Sequence, residues 1–338
     1  MSKKKKVAQV LFFLAVMGLT FWAVLHNQNL PEIWQAVRSM KTEYFLAAML
    51  LGIFFVSMEG FMIFRLLSGM NGKSSLFRCI QYSFIGFFYS GITPSATGGQ
   101  PMQLYYMSKD GNRASDSTVV LMTVALYYKL VLVLIGVGIL LGWNRPLRHY
   151  LGGYYGLYLL GLALNTLLVL LILGVMLFPK TILKTANAFE AMMIRLGLWK
   201  PSPKRREKVA GFVDSYGNAV SFLKNNKSKL LEILILTFLQ RCSVFFLTYL
   251  VYLGFGLTGT DAGTVMFLQA AIYIAVDMLP VPGAQGITEA MYQGVYRTVF
   301  TGGYLMPSML VSRGINFYFL LIISLLIIVW NCFAKKSS

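Results

Sequence analysis

Charge is scarce in this chain. Only 12% of its 338 residues are Asp, Glu, Lys or Arg, about half the roughly 25% carried by water-soluble domains. Acids are the scarcer sign, 12 against 30 Lys and Arg, which leaves a formal net charge of +18. Cysteine and histidine are scarcer still, at 3 and 2 residues. Cys79, Cys242 and Cys332 lie far apart in apolar surroundings, so no C-x-x-C pair or disulfide framework is formed. His26 and His149 cannot build an H-E-x-x-H site. No G-x-x-x-x-G-K-[ST] loop is present, which excludes a P-loop ATP site. No metal and no cofactor are therefore expected.

Apolar residues fill the space that charge vacates. They make up 57% of the chain, and Phe, Tyr and Trp alone reach 14%. Such a composition provides no polar shell for a soluble surface, so the surrounding solvent is lipid and aromatic side chains anchor at its two interfaces. The excess of bases would suggest nucleic acid in a soluble protein. Here the bases fall in a few short polar stretches, so membrane topology and anionic lipid headgroups explain them and no nucleic-acid partner is expected.

A helix needs about 20 mostly apolar residues to span the hydrocarbon. Six segments meet that length: 7–25, 44–64, 117–142, 153–178, 230–253 and 304–331. The first follows Lys3–Lys6, exceeds a usual signal core and lacks a small-x-small cleavage site, so a retained helix is expected. Two further apolar stretches, 76–108 and 262–300, are interrupted by Pro and Gly. Between the first two spans, Ile33, Trp34, Val37 and Met40 recur at helical spacing, which suits a short interfacial helix.

The polar region 180–229 is rich in Lys and Arg, with Glu190, Glu207 and Asp214 as its acids. The positive-inside rule makes this basic loop cytoplasmic. Lys3–Lys6 and Lys335–Lys336 place both termini on the same side. Counting crossings from these points, 76–108 begins and ends in the cytoplasm, whereas 262–300 begins and ends outside. Opposed, interrupted segments of this kind are the sequence signature of an inverted-repeat transporter with a midplane site. The plainer alternative is a pair of ordinary helices kinked by Pro and Gly. The expected architecture is thus all-α and polytopic: six full crossings and two opposed re-entrant hairpins within a single membrane domain spanning 1–338.

The first interruption reads Thr93-Pro94-Ser95-Ala96-Thr97-Gly98-Gly99-Gln100-Pro101. Thr and Ser cap helices, Pro suits a first helical position, and Gly permits positive φ and close backbone approach. Such a turn can aim free N–H groups at an anion. The second interruption, Pro280-Val281-Pro282-Gly283-Ala284-Gln285-Gly286-Ile287-Thr288-Glu289, has the same ingredients and ends in a carboxylate.

These two runs, T-P-S-x-x-G-G-x-P at 93–101 and P-x-P-G-x-x-G-x-x-E at 280–289, resemble the hallmark segments of a known family in both order and spacing. The family is the transmembrane, flippase-like region of lysylphosphatidylglycerol synthases, which also includes stand-alone membrane proteins, and the resemblance covers essentially the whole chain. Gln100 stands where relatives often carry Glu, and Ala284 where a second Gly is frequent. Full-length synthases append a soluble aminoacyl-transferring domain. Only Asn331–Ser338 follow the last span here, so that machinery is expected to be absent.

Six ionisable residues fall inside apolar segments: Glu59, Lys129, Arg241, Asp277, Glu289 and Arg313. Each costs about 2.5–3.5 kcal/mol at a bilayer centre unless it is compensated. Three acids and three bases allow three buried salt bridges. Alternatively, Asp277, Glu289 and Arg313 line a cavity beside the second interruption, and the donor fork of Arg241 receives a phosphate. The expected substrate-binding set is Thr93, Pro94, Ser95, Thr97, Gly98, Gly99, Gln100, Arg241, Asp277, Pro280, Pro282, Gly283, Gln285, Gly286, Glu289 and Arg313, with no catalytic residue.

Taken together, these features lead to the expectation of a flippase that moves a phospholipid, such as an aminoacylated phosphatidylglycerol, or a lipid-linked headgroup between leaflets of the cytoplasmic membrane. The alternatives are a phosphatidylglycerol lysyltransferase, as the family name implies, or its membrane subunit acting with a separate catalytic partner, and a non-transporting scaffold. The expected partners are membrane lipids, a second copy in a homodimer, and a separate lipid-synthesising enzyme.

Overall fold

In the computed structural model, residues 30–70, 72–178, 188, 190–196 and 203–334 are described. The run 7–25, both termini and much of 180–202 lie outside these, as does the side chain of Ser95. All regular structure among the described residues is helical. The main helices are α1 (Leu30–Ser39), α2 (Thr42–Gly69), α3 (Leu76–Gly91), α4 (Gly99–Lys109), α5 (Ala114–Gly142), α6 (Asn144–Leu151), α7 (Tyr155–Leu177), α8 (Pro203–Asn225), α9 (Lys227–Gly254), α10 (Ala262–Val276), α11 (Ile287–Val295), α12 (Leu305–Arg313) and α13 (Leu320–Ala334). A π-helical stretch, Gly314–Phe319, joins the last two.

Five helical segments among the described residues are long and apolar enough to cross a membrane: Thr42–Gly69, Ala114–Gly142, Asn144–Leu177, Lys227–Gly254 and Leu305–Asn331. They match the second to sixth expected spans. Both interrupted stretches are broken as expected. Each runs helix, 3-10 turn, helix: α3, Pro94–Ala96 and α4 in the first, and α10, Pro282–Ala284 and α11 in the second.

The chain therefore repeats one order of elements, a long helix, a broken pair and a second long segment, first over α2–α5 and again over α9–α13. The left-handed turn residues Ala96 (φ 53°) and Ala284 (φ 49°) lie at equivalent points, 188 positions apart. The two leading helices, α2 and α9, pack antiparallel along their length. Lys41 N–H donates to Gly254 O at 2.9 Å, Gln240 Nε2 to Phe55 O at 2.7 Å, and Arg65 Nε to Glu232 Oε1 at 2.6 Å. Each broken pair packs against the closing segment of the other half, α3 on α13 and α10 on α5.

Small residues allow these contacts. A β-carbon on Gly60 of α2 would lie 2.4 Å from Ile80 Cα of α3, so only glycine admits that approach. The first helix of each broken pair is capped at its start. Ser75 Oγ accepts from Arg78 N–H at 3.3 Å, and Asp261 Oδ1 from Thr264 N–H at 2.9 Å.

Two expectations need correction. The region 180–229 is not simply a loop, because 203–225 form α8, which packs on α5. Val213, Tyr216, Val220 and Leu223 recur at helical spacing and are buried, so this helix has an apolar face beneath its basic residues. The stretch before the fourth expected span, Asn144–Leu151, is helical as well. It forms α6, which buries Leu147 and Leu151. α1 does form, but Trp34 is exposed and Met40 is buried, so the expected apolar stripe is divided between two surroundings.

Candidate functional site

The two largest apolar cores among the described residues meet at a layer of charge. Along α2, residues near Ala48 belong to one core and Met62–Leu67 to the other, with Glu59 between them. Along α5 the change falls between Leu126 and Leu132, at Tyr128 and Lys129. Along α9 it falls between Ile233 and Val244, at Arg241. Each charge therefore sits near the middle of a long apolar helix, where desolvation is most costly.

Two of the three possible ion pairs form directly. Lys129 Nζ bridges Asp277 Oδ2, and Tyr128 Oη donates to Asp277 Oδ1 at 2.6 Å. Arg313 Nε donates to Glu289 Oε1 at 2.7 Å. The third pair does not close. Glu59 instead accepts from Gln103 Nε2 of α4 at 2.6 Å, with Arg241 within electrostatic reach. The guanidinium of Arg241 packs over the rings of Phe55 and Tyr128, 4.5 and 4.1 Å from their centroids. Its Nε and Nη1 are buried without a hydrogen-bond partner, and the residue is 2% exposed. Tyr273 of α10 lies within electrostatic reach of Arg241, Asp277 and Arg313, so the direct pairs and Arg241 share one neighbourhood.

The two interruptions also meet, because the 3-10 turn Pro94–Ala96 packs against the 3-10 turn Pro282–Ala284. In the first, Thr93 Oγ1 donates to Tyr89 O at 2.6 Å and accepts from Gly98 N–H at 2.9 Å, which closes the turn. Thr97 Oγ1 donates back to Pro94 O at 3.0 Å. Pro94, Thr97 and Gln100 are exposed. Gly98 and Gly99 face inward: a β-carbon on Gly98 would lie 2.7 Å from Thr93 Cγ2, and one on Gly99 2.8 Å from Gly86 O. These glycines let α4 fold back on α3.

In the second interruption, Gly286 N–H donates to Glu289 Oε2 at 2.7 Å and Arg313 Nη2 to Gly283 O at 3.0 Å. The N–H that was expected to face an anion is thus satisfied by the chain's own carboxylate. Gly283 presses on Phe317 of the π-helical stretch, which would lie 2.4 Å from a β-carbon there. Pro282 and Gln285 are buried, Pro280 is exposed, and both amide atoms of Gln285 lack a partner.

The structure thus gathers Asp277, Arg241, Glu289 and Arg313 near the second interruption and sets the first against it. Arg241 makes no hydrogen bond to either turn among the described residues. Gln103 and Phe55 escape sequence reading altogether. Gln103 is an isolated amide in an apolar run, and its significance depends on Glu59, 44 positions away.

The fold and these residues define an all-helical, multi-pass membrane protein. The family described as the lysylphosphatidylglycerol synthase TM region matches residues 7–324, nearly the whole chain, and the protein belongs to that family. Comparison with curated proteins gives no match.

Proposed function

We propose that this protein carries a phospholipid, or a lipid-linked headgroup, from one leaflet to the other. The observation that carries this reading is the meeting of the two interrupted stretches beside a mid-helix layer of charge. A polar headgroup crossing about 30 Å of hydrocarbon needs a substitute for its hydration. Glu59, Lys129, Arg241 and Asp277 supply charges and donors at the depth where lipid supplies none.

The repeated order of elements and the antiparallel packing of α2 on α9 support an inverted-repeat architecture. In this reading both termini are cytoplasmic, the first broken pair enters from the cytoplasmic face and the second from outside. Alternate parting of the two pairs then exposes the charged layer to each leaflet in turn. The driving force comes from the lipid's own imbalance, an ion gradient or the membrane potential.

Reconstitution into vesicles carrying fluorescent lipids of different headgroups tests the proposal. Protein-dependent translocation of at least one phospholipid is the expected result. Vesicles indistinguishable from protein-free controls across the whole panel would sink it. Tags in the 203–225 helix should be reachable only from the cytoplasm, and tags at Arg148 and Gly259 only from outside. The reverse pattern would remove the inverted arrangement.

A further inference from the structure

We propose that Arg241 is the anion contact of this membrane domain and that Glu59 is a built-in anion competing for it. The inference deepens the transport reading above and rests on it only for the role given to the bound anion.

Among the described residues, Arg241 is the intramembrane cation with unmatched donors. Lys129 and Arg313 each bridge a carboxylate, whereas Nε and Nη1 of Arg241 have no acceptor although the residue is 2% exposed. A buried donor on a charged group without an acceptor is costly, so a site with no other use for it would be expected to pair it. The guanidinium carbon lies over the rings of Phe55 and Tyr128, 4.5 and 4.1 Å from their centroids, and ring faces hold the cation without giving Nε and Nη1 an acceptor. These unmatched, directed donors suit the oxygens of a phosphodiester or of free phosphate.

Glu59 is the competing carboxyl group in this proposal. It stands one helical turn from Phe55 on α2, within electrostatic reach of Arg241, while its Oε1 is held by Gln103. Gln103 reaches it only because residue 86 is glycine: a β-carbon there would lie 2.5 Å from Gln103 Nε2. α3 is thus shaped to let α4 hold Glu59 back from Arg241. An anion arriving at Arg241 takes over the attraction that Glu59 now supplies and leaves Glu59 to its bond with Gln103 of α4, the helix that follows the first interruption. Nε and Nη1 are covered in this structure, so the anion enters when the broken pairs part.

Opposite signs are expected for neighbouring substitutions, which a purely structural role would not produce. The full chain in a neutral detergent is titrated with dihexanoyl phosphatidylglycerol, with inorganic phosphate, and with dihexanoylglycerol as the phosphate-free control, bound ligand being read by native mass spectrometry. Glu59→Gln removes the competitor and should tighten binding of the phosphatidylglycerol about tenfold, a factor worth about 1.4 kcal/mol. Gln103→Leu frees Glu59 to fall back on Arg241 and should weaken binding. Arg241→Lys keeps the charge but loses the fork, and should weaken it also. Dihexanoylglycerol should respond to none of them.

A response confined to the lipid identifies a headgroup site, and an equal response to inorganic phosphate identifies a general oxyanion site; both support the role of Arg241. Unchanged or weaker binding in Glu59→Gln overturns the competition, and wild-type binding in Arg241→Lys overturns the contact. If Arg241→Lys does not fold, the opposed signs of Glu59→Gln and Gln103→Leu still decide. Translocation measured on the same preparations separates the two proposals. Translocation with an unresponsive Glu59→Gln removes the competition alone, whereas the binding pattern without translocation removes the transport role alone.

Discussion

Arg313 and Glu289 close a ring around the second interruption. Arg313 donates from Nε to Glu289 Oε1 at 2.7 Å and from Nη2 to Gly283 O at 3.0 Å, while Glu289 Oε2 takes Gly286 N–H at 2.7 Å. One ion pair therefore fixes both the entry and the exit of the turn. Removing one partner of a buried pair costs about 3–5 kcal/mol, because the other charge is left uncompensated. Glu289→Gln retains an acceptor for Gly286 but strands Arg313, so it should lower stability in detergent by about that amount. Adding Arg313→Gln should recover part of the loss, and a double-mutant cycle on thermal unfolding reads the coupling. Additive losses would show that the pair does not act as a unit.

Gly99 sits where α4 turns back on α3. A β-carbon there would lie 2.1 Å from Ser90 Oγ and 2.8 Å from Gly86 O. Ser90 can move aside, but the backbone oxygen of Gly86 cannot. Gly99→Ala should therefore cost about 1–3 kcal/mol, as over-packing typically does, and Gly99→Leu should prevent the hairpin from closing. Gly153→Ala is the control, since a β-carbon there meets nothing within 4 Å. Equal thermal stability of Gly99→Ala and wild type would refute the packing role.

Ala284 adopts φ 49°, a left-handed conformation that costs an L-residue roughly 1–2 kcal/mol. Glycine carries no such penalty, so Ala284→Gly should raise the unfolding temperature, with a gain of up to about 1 kcal/mol after glycine's greater unfolded-state freedom is deducted. Ala284→Val should lower it. A loss of stability in Ala284→Gly would mean that the methyl group packs more favourably than the backbone is strained.

Asp261 caps α10 through Thr264, accepting from its N–H at 2.9 Å and from its Oγ1 at 2.7 Å. The Thr264 hydroxyl first, and then its N–H, hold the carboxyl below the usual aspartate range. A depressed folded value contributes stability above the unfolded value, about 3.9, that is lost as pH falls through the folded one. At neutral pH Asp261→Ala should cost about 1 kcal/mol, as cap removal does. The gap from wild type should then narrow as pH drops below about 3.9. A gap independent of pH would show that the capping interaction does not depend on the charge.

Composition and periodicity alone carried the class of protein, the second to sixth spans and the two interruptions. Lipid leaves little freedom there: an apolar run of sufficient length must be helical, and clustered Pro and Gly mark where it can be interrupted. The two family motifs were legible for the same local reason, since turn chemistry is written in consecutive residues. The amphipathic helix at 203–225 was hidden because its charges dominate its composition, although Val213, Tyr216, Val220 and Leu223 already carried the helical period. The pairing of the six charges was decided only by the tertiary structure. Three acids and three bases suggest three bridges, yet Gln103 takes Glu59 and two aromatic rings hold Arg241. Which partner reaches which charge depends on the side-by-side packing of helices whose contact residues lie from 24 positions apart (Glu289 and Arg313) to 186 (Phe55 and Arg241). It also depends on whether a residue such as Gly86 leaves room for the reach, and the order of residues along one helix does not encode that geometry.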